Sequence, residues 1–123
     1  MADIYYHGAN GDKILKIIQS GVLKPDENKI FLARFEPQNC YTHGGDRKRK
    51  ANYVIKVKVD IPDNVKRECL ETPGVRDTLV LHTSDDVRAE VLELYVRKRN
   101  AEGDGFDFDR IVGTQAIILE LNK

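Results

Sequence analysis

Three histidines and two neighbouring glutamates are the residues on which chemistry could rest in this chain. His7 stands in Tyr6-His7-Gly8, His43 beside Gly44-Gly45, and His82 at the end of Thr78-Leu79-Val80-Leu81. Imidazole changes charge near neutral pH, so each can act as acid, base or hydrogen-bond partner. Glu90 and Glu93 flank Val91-Leu92, just ahead of Leu94-Tyr95-Val96. A carboxylate at the head of an apolar strand is well placed to stabilise positive charge developing on a substrate. Cys40 lies beside Tyr41 without a cationic neighbour that would favour a thiolate, so it reads as a packing residue.

Several common chemistries find no pattern here. Cys40 and Cys69 are isolated, and no two histidines are four apart on a helix, so no zinc-binding spacing exists. There is no G-x-x-x-x-G-K loop, no G-x-G-x-x-G turn and no G-x-S-x-G elbow. The run Arg47-Lys48-Arg49-Lys50 reads first as a solvated loop, with contact to phosphate or nucleic acid as its functional alternative.

The elements that must position these residues follow from periodicity. Ile4 to His7 reads as a strand ended by Gly8. Asn10 or Asp12 can cap a helix running to Gln19-Ser20, with Ile14, Leu15, Ile17 and Ile18 on its apolar face and Gly21 as its stop. Lys29–Ala33 is a second short strand, and Glu36 to Gly44 reads as a short helix starting near Pro37. Between Tyr53 and Val59 the chain alternates, with Ile55, Val57 and Val59 facing one way and Lys56 and Lys58 the other, as in a strand with one wet face. Residues 63–77 read as irregular, Thr78–His82 and Val91–Arg97 as strands, and Glu102–Asp109 as an exposed loop. A last strand is expected around Ala116–Leu121. Strict alternation would put Glu93 on the opposite face from Glu90. The strand after Glu90 is expected beside the strand ending at His7.

The whole reads as an α+β fold in one domain, residues 1–123, with a compact, mainly antiparallel split β-sheet and one or two short helices. Lys plus Arg and Asp plus Glu each number 20, so no global field argues for nucleic acid. Two cysteines suit a reducing, cytoplasmic setting. Met1-Ala2-Asp3-Ile4 does not begin a signal peptide, and no stretch has the length and apolarity of a membrane span.

From Tyr5 to Gly45 the chain runs Tyr6-His7-Gly8, a short helix, Ile18-x-x-Gly21-x-Leu23-x-Pro25, Ile30-Phe31-Leu32-Ala33 and Asn39-x-Tyr41. This ordered series, about a third of the chain, resembles the first half of the ADP-ribosyltransferase fold. The branch in question has a His-Tyr-Glu triad and includes diphtheria-toxin-like enzymes and the poly(ADP-ribose) polymerases. The resemblance implies that NAD is the substrate, held by His7, Gly8, Ala33 and Tyr41, and cleaved at its nicotinamide–ribose bond through an oxocarbenium-like transition state. On that reading His7 bonds an adenosine-side ribose hydroxyl. The backbone of Gly8 grips the carboxamide with no side chain intervening, and Tyr41 stacks on the nicotinamide. Glu90, with Glu93 as its rival, supplies the carboxylate. The implied function is transfer of ADP-ribose to a protein or nucleic-acid acceptor. A small toxin or a phage or defence effector fits the size, and an inhibitory partner protein could cover the cleft.

Two other readings stand beside it. A small ribonuclease toxin would use His7 or His43 as acid or base, with Arg47–Lys50 on RNA phosphates. A catalytically inactive module would keep the fold and bind a nucleotide or a protein. Convergence of His7, Tyr41 and Glu90 on one cleft separates the first reading from the others.

Overall fold

A computed structural model of the chain describes residues 2–34, 53–72, 75–99, 102 and 106–123. Strand β1 (Ala2–Ala9) leads into helix α1 (Gly11–Ser20). Asn10 caps α1, its side chain accepting from the Lys13 N–H at 2.9 Å. Gly21 closes the helix at φ 73°, a conformation open to glycine without strain, and its N–H donates to the Ile17 carbonyl at 2.8 Å. Two short strands follow, β2 (Val22–Leu23) and β3 (Lys29–Ala33). Then come β4 (Tyr53–Asp60), β5 (Lys66–Thr72), β6 (Val75–His82), β7 (Val87–Arg99) and β8 (Phe106–Val112), and helix α2 (Thr114–Leu121) ends the chain.

The eight described strands lie in one antiparallel sheet, not the split sheet expected, with the order β2-β7-β4-β1-β3-β6-β5, and β8 also pairs with β7. The thirteen-residue β7 serves two partners along one edge: Val87 and Arg88 pair with β2, and Glu93 to Arg99 pair with β8. β1 and β7 share the sheet without pairing, because β4 runs between them. Direct pairing, the expectation from sequence, is thereby corrected.

Both helices contact β7 and each other on one face of the sheet. Ile14 and Ile17 of α1 and Ile117 of α2 are buried there, with Leu15 and Ile18 half-buried. They meet Ile55, Val57 and Val59 of β4, Leu79 and Leu81 of β6 and Leu94 of β7 in one apolar cluster. Full burial of an aliphatic side chain contributes roughly 1.5–3 kcal/mol, so this layer fixes α1, and with it one wall of the site below. On the opposite face a smaller group forms around Ala33 and Val54, with Tyr6 and Tyr95 packed against it. No described helix is long and apolar enough to cross a membrane.

Three sequence expectations are corrected. Lys66–Thr72 is a strand, not irregular chain; among the described strands it pairs with β6 alone, at the rim of the sheet, where a largely polar sequence is sufficient. Phe106–Val112 is a strand rather than a loop. Its Phe-Asp-Phe-Asp alternation carries the period of two, which the neighbouring glycines and acids obscured. Ala116–Leu121 belongs to a helix. Periodicity cannot separate helix from strand in so short an apolar run, and contacts with β7, β8 and α1 decide it.

Candidate functional site

The sheet opens at His7. The register between β1 and β3 consists of Tyr6 opposite Ala33, and the two strands part beyond it, at His7 and Gly8. On its other side β1 stays in register with β4 through Ala9, so only the β3 side opens. His7 turns into the opening and its Nδ1 lies 2.8 Å from the Phe31 carbonyl oxygen. A carbonyl can only accept, so Nδ1 carries the proton. Burial, the largest influence, pulls the imidazole pKa below its ordinary value. The Phe31 bond opposes that shift and the Lys13 ammonium adds to it. His7 is therefore a neutral imidazole at pH 7 with its Nδ1 tied down. Its Nε2 keeps a lone pair, which suits it to accept a hydrogen bond from a hydroxyl.

The cleft at this opening has a volume of about 490 Å³, within the usual range for a cofactor site. His7 and Gly8 form one side; Lys13, Lys16 and Ile17 of α1 form another; Lys24, Pro25, Asp26 and Lys29 close it from the hairpin turn in the connection between β2 and β3. That hairpin turns tightly. The Asp26 N–H donates to the Lys29 carbonyl at 2.9 Å and the Lys29 N–H to the Asp26 carbonyl at 3.1 Å. Glu27 and Asn28 between them have φ of 51° and 64°, the pattern of a two-residue type I′ turn.

The remaining residues expected at the site are dispersed. Tyr41, His43, Cys40 and the Arg47–Lys50 run lie outside the described residues, as does the helix expected over Glu36 to Gly44. Ala33 does not line the cleft. It is opposite Tyr6 and buried with Val54, on the face away from His7. Glu90 is exposed and pairs with Lys58, which pairs with Ile4, whereas His7 is level with Ile55 and Leu94. Two strand spacings and three residue steps put Glu90 roughly 14 Å from His7, on the other face. It borders a second depression of about 550 Å³, with Lys58, Asp60 and Arg88, where β7 is flanked by neither β2 nor β8.

Glu93 overturns the expected alternation. The register of β7 against β4 shifts between Lys56, opposite Glu93, and Val57, opposite Val91, leaving Leu92 as an extra residue. This bulge returns Glu93 to the face of Glu90. There Glu93 is buried, at 7% exposure. Its Oε2 accepts from the Tyr95 hydroxyl at 2.6 Å and lies 3.8 Å from Lys56 Nζ, and its Oε1 is 2.7 Å from Arg110 Nη2. The Tyr95 ring meets Tyr6 edge-on at 5.8 Å. These contacts make Glu93 a structural anchor of the outer face.

His7 and Gly8 are thus brought together at a cleft, and Ala33, Glu90 and Glu93 are not. Reading the sequence for reactive groups passed over the four cleft lysines. The signal was present in part, since Lys13 and Lys16 are three apart on a helix and so share one side. Lys24 and Lys29 reach the same cleft only through the turn at Asp26–Lys29. The chain matches no protein-family model, no curated protein and no solved structure.

Proposed function

We propose that the protein is an NAD-dependent ADP-ribosyltransferase whose dinucleotide enters the cleft at His7 and Gly8. The observation that carries this reading is the parting of β1 from β3 at the His-Gly pair, beside a neutral imidazole with a free acceptor nitrogen. A sugar hydroxyl is a natural donor to that nitrogen, and Gly8 offers backbone without a side chain to a flat amide. Tyr41 keeps its proposed stacking role. The acceptor of ADP-ribose is a protein or nucleic acid, as the resemblance implies.

The carboxylate needs a different source from the one expected. Glu90 is remote from His7 and Glu93 is committed to Tyr95 and Arg110. Incubating the protein with NAD labelled in its adenylate moiety and a cell lysate tests the function, and Glu90→Gln tests the placement of Glu90 outside the site. We expect label transfer that Glu90→Gln leaves intact. Absence of NAD consumption with any acceptor, or with water, would remove the transferase reading. The placement of Glu90 and Glu93 favours one second reading, a nucleotide-binding module without transfer chemistry, for which NAD binds and is never cleaved.

A further inference from the structure

The His7 cleft concentrates charge. Lys13 and Lys16 from α1, Lys24 between β2 and the turn, and Lys29 at the head of β3 all border it, against Asp26 as the one acid among the described residues that line it. Four cations less one anion, with His7 neutral, give a net +3 in a chain whose formal net charge is zero. Among the described residues these four lysines form no salt bridge, whereas Lys56 and Lys123 each pair with a glutamate. They come from two banks: α1 on one side and the connection between β2 and β3 on the other, each contributing two ammonium groups. Lys13 is close enough for its charge to be felt at His7. Like charges gathered around one opening repel each other, and an anion entering it relieves that repulsion.

The chemistry at the opening divides in two. His7 offers a lone pair, which repels a phosphate oxygen and welcomes a hydroxyl. Ammonium groups hold phosphate as point charges without demanding a fixed geometry. The walls between, Ile17, Leu23, Pro25 and Ile30, are apolar.

We infer that Lys13, Lys16, Lys24 and Lys29 form a two-sided rim that binds the diphosphate of a nucleotide whose sugar hydroxyl is held by His7. As to the sugar, the inference rests on the nucleotide reading above; the rim itself is a site for linked phosphates. Asp26 tempers the rim, so its removal tightens binding.

Calorimetry on the full chain with ADP-ribose, inorganic diphosphate and adenosine, at low and at high salt, tests this. Exposed charge contacts of this kind change affinity by about two- to fivefold each. Lys13→Gln with Lys16→Gln, or Lys24→Gln with Lys29→Gln, should therefore weaken ADP-ribose by roughly 5- to 20-fold. Asp26→Asn should strengthen it about twofold, and raising NaCl from about 0.02 to 0.3 M should weaken it further, because the screening length shrinks severalfold. Inorganic diphosphate should follow the same order, and adenosine should not respond to the lysines. All four lysines are exposed, so unchanged circular dichroism and melting temperature are expected of the variants. Lysine-dependent binding of ADP-ribose without NAD cleavage upholds the rim and removes the transferase reading. NAD cleavage with affinity indifferent to the four lysines and to salt overturns the rim and leaves the transferase reading standing. Failure of both ADP-ribose and diphosphate to bind overturns the rim and the nucleotide reading together.

Discussion

Glu93 is the residue whose removal is most informative, because sequence suggested a catalytic role and the fold gives it a structural one. Its carboxylate accepts the Tyr95 hydroxyl at 2.6 Å in a partly buried setting. A hydrogen bond to a charged group of this kind contributes about 1.5–3 kcal/mol. Arg110, at 2.7 Å, is 61% exposed. It regains water when the partner is lost, so it adds up to about 1 kcal/mol. Lys56 at 3.8 Å adds little. Glu93→Ala should cost about 2–4 kcal/mol, and Glu93→Gln, which keeps an acceptor for Tyr95, about 1–2 kcal/mol. For a domain of this size that is a fall of roughly 10 °C in Tm for alanine and about half as much for glutamine. The Tyr95 bond, ahead of the Lys56 and Arg110 charges, holds the Glu93 pKa below its ordinary value of 4.5, against the opposing effect of burial. A carboxylate with a depressed folded-state pKa contributes stability that is complete above its unfolded value and is lost as pH falls through the folded value. The gap between wild type and Glu93→Gln in urea unfolding should thus be constant at neutral pH and close below about pH 4. A double-mutant cycle with Tyr95→Phe should return a coupling of about 1 kcal/mol or more. NAD affinity should be unchanged, since Glu93 lies on the face away from His7. Equal urea midpoints for wild type and Glu93→Gln at pH 7, or a gap that widens on acidification, would refute the reasoning.

Nitrogen-detected NMR should show His7 as the neutral tautomer protonated at Nδ1, titrating below its ordinary 6.5. Because the part-buried ring resists protonation, its contribution to stability is complete above pH 6.5 and declines as pH falls from there toward the folded-state pKa. Glu27 sits at φ 51° in the hairpin turn that carries Lys24 and Lys29. Glu27→Asn should raise stability by roughly 0.5 kcal/mol in thermal unfolding, since asparagine tolerates the left-handed region better. Asn10→Ala removes the cap bond to the Lys13 N–H and should cost about 1 kcal/mol. A fully buried Ile14 makes Ile14→Ala the severe core variant, at about 2–5 kcal/mol by urea unfolding.

Local order was legible in the residues themselves. Asn10, the spacing of Ile14 and Ile17, and Gly21 define α1 from cap to stop, because capping and helical period act within a few residues. The alternation of Ile55, Val57 and Val59 with Lys56 and Lys58 marked β4 and its two faces for the same reason. The polar edge strands β5 and β8 were not legible, since a strand at a rim is held by the ladder of its neighbour rather than by its own apolar face. The Ala116–Leu121 run became a helix through its packing on α1, β7 and β8. At the site, His7-Gly8 was identified from sequence, yet only tertiary structure showed the strand partner that parts from it. The same holds for the carboxylates. One extra residue, Leu92, turned Glu93 to the face of Glu90, and the placement of β4 between β1 and β7 carried both away from the imidazole. The lysine rim joins side chains from a helix and a hairpin. Such contacts depend on strand order and register, which long-range pairing selects and no local pattern encodes.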